Sequence, residues 1–125
     1  MRTADGLQRG LARLKDFKSE LLETGLADAD MVFNITWHDW LNLESLIEMS
    51  EVIAAAALWR QNSRGAHYRE DFSDGGDLET SYFTVVRRND AEALDVTREP
   101  VVFSIVKPGE TLLKDEPETL VANAR

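Results

Sequence analysis

The 125-residue chain contains no cysteine. That excludes a disulfide, a thiolate zinc site and a cysteine nucleophile, and it is consistent with a reducing compartment. Cations are scarce beside acids: 14 Lys and Arg against 23 Asp and Glu give a net charge of −9. Phosphate-backbone binding needs clustered cations, so no nucleic-acid partner is expected. Direct contact with an anionic membrane surface is disfavoured on the same ground. Long apolar runs are missing as well. The longest, Val52 to Trp59, falls far short of the ~20 residues that cross a bilayer. The N-terminus lacks a signal-peptide apolar region, and no Gly-rich phosphate loop or dinucleotide fingerprint occurs. At 43% hydrophobic and 30% charged, the composition is nonetheless that of a folded protein. The expectation is an acidic, cytoplasmic chain whose residues 1–125 form a single domain.

What is present begins with helices. Leu7, Leu11, Leu14, Phe17 and Leu21 recur at spacings of 4, 3, 3 and 4, one face of a 3.6-residue repeat. Thr3 suits the N-cap, Asp5 favours the positive helix end, and Gly25 suits the C-terminal stop. After a connection over 26–33, a second helix is predicted from about Trp37 to Arg60, with Thr36 and Asp39 as a capping box. Glu44, Glu48 and Glu51 form one narrow stripe, read as solvated. Trp40, Leu43, Leu46, Ile47, Met49, Ile53, Ala54, Ala57 and Leu58 make most of the remaining surface apolar or small. A helix of that kind must be covered from more than one side, and the first helix offers a single stripe.

The second helix ends at Asn62-Ser63-Arg64-Gly65. A polar loop over 66–80 follows, with Gly75-Gly76 as a flexible break. Residues 81–87 and 101–106 have β character, with a turn at Asn89-Asp90. Leu94 to Thr97 can extend the second strand, with Pro100 as a bulge or break. The fold class read from this is mainly α. Residues 1–72 form a long-helix bundle with a loop. A loop and small antiparallel β-hairpin follow over 73–113, and a flexible acidic tail over 114–125.

The densest polar cluster is Ser63-Arg64-Gly65-Ala66-His67-Tyr68-Arg69-Glu70-Asp71-Phe72. Three chemistries are open to it. His67, Glu70 and Asp71 could ligate a metal, although a single His with two carboxylates is a weak signal. Ser63 and His67 could act as nucleophile and base, with no oxyanion geometry implied. The favoured reading is a polar knot: Arg64 and Arg69 supply forked donors, Glu70 and Asp71 supply acceptors, and His67 fixes the loop. Such a knot holds a loop or docks another domain. His38, beside Asp39 on a helix, is read as a surface residue, because neighbouring helical side chains diverge. The three tryptophans are read as core or interface anchors.

Residues 62–72 resemble the "ESRGAHxREDFP" signature in the C-terminal helical domain of the succinate dehydrogenase/fumarate reductase flavoprotein family, of which L-aspartate oxidase is a related branch. Arg2-Thr3-Ala4-Asp5-Gly6-Leu7 resembles the family's "RTxxGL" helix start. Residues 40–49 resemble its "xxLELxNMLxLA" helix. The resemblance covers residues 2–72, with Asn62 where Glu or Thr is usual and Ser73 in place of the usual Pro. It implies a structural, non-catalytic piece of an FAD-dependent oxidoreductase acting on a dicarboxylate such as succinate or fumarate. Its partners would be the FAD-binding and capping domains, which lie upstream in the family. FAD would belong to that parent and not to this chain, and no catalytic, cofactor or metal residue is carried over. The resemblance also implies that a helix preceding "RTxxGL", the third of the family bundle, is absent. A homodimer of the isolated chain is therefore expected. The alternative is a self-standing acidic helical module that recruits a basic partner.

Overall fold

A computed structural model describes residues 2–112. Helix α1 spans Ala4–Thr24 and α2 spans Ile35–Trp59; a single 3-10 turn follows at Glu70–Phe72, then strands β1 (Tyr82–Arg88) and β2 (Leu94–Pro100). Helix α1 starts where the side-chain chemistry places it: Thr3 Oγ1 accepts the Gly6 N–H at 3.1 Å. It stops at Gly25, whose φ of 60° lies in the left-handed region and whose N–H bonds to the Leu21 carbonyl.

Helix α2 begins two residues before the predicted start. Asn34, not Thr36, is the cap, and its Oδ1 accepts the Trp37 N–H at 2.8 Å. Asn34 Nδ2 also donates to the carbonyls of Asp28 and Asp30. One amide side chain thus closes the connection and starts the helix, which outcompetes the Thr36–Asp39 pair.

The helices pack as an antiparallel-looking pair only in part sealed: Ile47 and Ala57 are the buried hydrophobic residues. Trp40 ties them together by donating Nε1–H to the Leu21 carbonyl at 3.2 Å. The expectation of a solvated glutamate stripe is overturned. Glu48 bridges Lys18 of α1 at 3.6 Å and Arg88 of β1 at 3.2 Å, and Glu44 and Glu51 are half-buried. The opposite side is the wet one, with Leu46, Met49 and Ile53 each more than half exposed.

The hairpin pairs Tyr82 with Pro100 through Arg88 with Leu94, and Val86 faces Val96. Asn89 sets that register, because its Oδ1 accepts the N–H groups of Ala91 and Ala93. The strand expected over 101–106 does not form. Pairing ends one step beyond Tyr82, where the Val101 N–H donates to the Ser81 carbonyl at 2.9 Å, because Gly75, Asp77 and Ser81 are held by Arg64. A β-branched run without an edge stays out of the sheet, and Val102 and Ile105 are exposed. The acidic tail expected over 114–125 lies outside the described residues.

Candidate functional site: an arginine clasp

Arg69 is the side chain around which the loop closes, and its exposure is 0%. The last carbonyls of α2 have no intrahelical donors and sit at the negative helix end. Arg69 Nη1 donates to three carbonyls there: Ala57 at 2.7 Å, Leu58 at 2.9 Å and Arg60 at 3.2 Å. Its other face forms a two-pronged pair with Asp71, Nε to Oδ1 at 2.7 Å and Nη2 to Oδ2 at 2.6 Å. The guanidinium also lies 5.0 Å from the Phe72 ring centre. The pair holds the Asp71 carboxyl well below the usual carboxylate range, chiefly through the Arg69 hydrogen bonds.

Asp71 passes the connection on. Its Oδ2 accepts the Ala4 N–H, at the start of α1, at 2.8 Å. Glu70 N–H donates to the Arg2 carbonyl at 2.9 Å, and Arg2 Nη1 donates to the Ala66 carbonyl at 3.3 Å. The loop therefore staples the end of α2 to the start of α1, across more than sixty residues of sequence. The Glu70 side chain is exposed and enters the clasp only through its backbone.

The first half of the loop is a tight reversal. Arg64 and His67 exchange two backbone hydrogen bonds at 2.9 and 3.0 Å around Gly65, whose φ of 56° an L side chain would strain. Ser63 accepts the Arg69 N–H and donates to the carbonyl of Phe72 at 2.7 Å. That hydroxyl is engaged within the loop, so it is not set up as a nucleophile. Arg64 reaches forward to the carbonyls of Gly75 and Asp77 and to Ser81 Oγ. It thereby seats the hairpin. The His67 ring is half-buried, and its pKa is lowered by desolvation and then by the charges of Arg60 and Arg2.

The predicted residues Arg64, His67, Arg69, Glu70 and Asp71 thus share one loop, but their principal contacts lie outside it. Arg2, Ala4 and Ser81 complete the clasp; the sequence marks Arg2 and Ala4 only as a helix start and Ser81 only as a strand start, because nothing in a local window shows partners so far away. Among the described residues no group of three His or acidic side chains could hold a metal ion, and Asp71 is committed to Arg69. Among the described residues the sheet is an antiparallel hairpin, without a strand–turn–helix phosphate cradle. No helix among the described residues is long and apolar enough to cross a membrane.

A helix pair whose ends are stapled by a buried arginine, with a hairpin seated on the staple, defines a mainly helical domain closed by a polar clasp. Residues 1–113 match the family described as fumarate reductase flavoprotein C-term, and the chain belongs to that family. The match runs through the hairpin, well past the 2–72 stretch legible as a resemblance. The succinate dehydrogenase flavoprotein subunit of Rickettsia bellii is 27% identical over 82% of this chain and 17% of its own length. That of Coxiella burnetii is 34% identical over 66% of this chain and 14% of its own. The fumarate reductase flavoprotein subunit of Mycobacterium tuberculosis is 28% identical over 83% of this chain and 18% of its own. A mutant of Escherichia coli quinol fumarate reductase FrdA superposes with a TM-score of 0.78 at 22% identity, covering 87% of this chain and 19% of that one. The chain thus spans less than a fifth of the relatives named here.

Proposed function

We propose that this chain is the C-terminal domain of an FAD-dependent oxidoreductase subunit that acts on a dicarboxylate such as succinate or fumarate. Its task is mechanical: it braces the flavin-binding and capping domains and contributes no catalytic residue. The cytoplasm suits such a subunit. The carrying observation is the apolar surface left open by a folded helix pair. Leu43, Leu46, Met49 and Ile53 line one side of α2 in the exposed state, beside a cavity of about 530 Å3 bounded by Leu14, Phe17, Leu21 and Ile47. At one end of the molecule Met31, Phe33 and Ile35 project into solvent. Phe33 is 96% exposed at a φ of 56°, an uncommon conformation for a bulky residue, and Asn34 anchors the adjoining backbone. Apolar surface on this scale is characteristic of an interface. The Arg64–Asp71 loop serves docking by fixing the angle between α2, α1 and the hairpin.

Deleting residues 2–112 from the flavoprotein tests this. The account expects loss of bound flavin and of turnover, while the chain by itself is colourless. A truncated protein that keeps flavin and activity would contradict it. From the same open face we propose a homodimer when the chain stands alone, with a second copy's helix taking the place of the parent's domains.

A further inference from the structure

A second cavity, of about 330 Å3, lies between the C-terminal turn of α2, the clasp loop and β1. Arg2, Arg60, His67 and Thr84 line it together with Ile53 and Ala56. His67 and Thr84 both line this cavity, and His67 Nε2 and Thr84 Oγ1 are each buried without a hydrogen-bond partner. A buried polar atom left unpaired is costly, so a ligand that draws these two side chains toward the cavity and pairs them is favoured.

The charges select its sign. In a chain of net charge −9, no acid lines this cavity, and among the described residues neither Arg2 nor Arg60 forms an ion pair. The α2 carbonyls nearby would oppose an anion, but Arg69 already occupies them, with its own charge matched by Asp71. Arg60 is only partly engaged, through Nε to Asn62 Oδ1 at 2.8 Å. Arg2, at the start of α1, and Arg60, at the end of α2, are left to set the local potential. The His67 pKa is lowered first by desolvation and then by the charges of Arg60 and Arg2, with Arg69 adding a smaller push.

We infer that this cavity is a carboxylate-binding site, with Arg60 and Thr84 as donors and a protonated His67 as the third. The apolar wall of Ile53 and Ala56 suits a short aliphatic stem. The carboxylate is either that of a small free acid or an Asp or Glu side chain of a packed domain. Binding brings a proton onto His67 Nε2, so affinity rises as pH falls, about tenfold per pH unit between the free and bound pKa values. The neighbouring-domain source rests on the proposed function above; the free-acid source does not.

The test is an imidazole NMR titration of the 125-residue chain with acetate and succinate up to about 50 mM, at matched NaCl. His67 should shift and gain basicity while His38 does not, and R60Q and T84V should each weaken binding at least about tenfold. H67Q, followed through the Thr84 amide shift, should flatten its pH dependence. No shift of His67, or a shift kept intact in both R60Q and T84V, would overturn the site. In the longer flavoprotein, a His67 already raised without added acid assigns the carboxylate to a neighbouring domain; a His67 raised only by succinate assigns it to the free acid. A His67 raised in neither condition would overturn the site there too.

Discussion

At the scale of single residues, Arg69 carries the structure. Replacing it leaves three helix-end carbonyls and Asp71 without their partner in a site closed to water. We expect Arg69→Met to cost about 3–5 kcal/mol in urea unfolding. Arg69→Lys should recover little of that, because an ammonium cannot reproduce the fork that serves carbonyls and carboxylate together. Equal stability of wild type and Arg69→Lys would contradict the geometry. Two groups then set the acid response. His67 has a lowered pKa in the folded chain, so its contribution is present above the unfolded value of about 6.5 and declines as pH falls below it. Asp71 is depressed from an unfolded value near 4, so its contribution declines only below that. The melting temperature should fall in two stages on acidification. His67→Gln should remove the upper stage and Asp71→Asn the lower, and a single stage untouched by either change would contradict the assignment. The loop's residue types were legible as a polar knot. The zero exposure of Arg69 was not, because alternating charges over ten residues look like a solvated turn.

At the scale of elements, α1 was the most legible, since Thr3, the leucine stripe and Gly25 all point the same way. Helix α2 was legible in extent but not in orientation. A row of glutamates on an otherwise apolar helix reads as its wet side; here Lys18 and Arg88 close over Glu48, and the leucine side is left open. Sequence periodicity finds a helix's sides without saying which one a neighbour covers. The hairpin shows a similar limit. Val101 to Val106 has the stronger β propensity, but Asn89 starts the return strand at Leu94 and uses up β1 by Pro100. The hairpin is held to α2 largely by rings and cations: Arg98 lies 4.7 Å from the Trp59 ring centre and 4.4 Å from that of Tyr82, and the two rings meet edge to face at 6.2 Å. Arg98→Ala should therefore cost about 0.5–2 kcal/mol. Glu48→Gln should cost about 0–1, because both its pairs are partly exposed. Hydrogen exchange localised to β1 and β2 checks both, and a larger loss from Glu48→Gln would reverse the ranking.

At the scale of the whole molecule, few hydrophobic side chains among the described residues are fully buried and many are exposed, so stability depends on what covers them. Alone, it should associate: light scattering at micromolar concentration is expected to give a species larger than the monomer, which Leu46→Asp disperses. A monomer with a melt independent of concentration would contradict self-association. Because Leu46 is already 63% exposed, that substitution leaves the chain's own packing largely intact. It therefore separates interface from fold. The most direct test of the bracing role is flavin retention by the full flavoprotein carrying Leu46→Asp and Ile53→Asp together, with the helix content of the separate chain as control. The account predicts flavin lost from the flavoprotein and helix content unchanged in the chain. Flavin retained at the wild-type level, with the two aspartates in place, would contradict it.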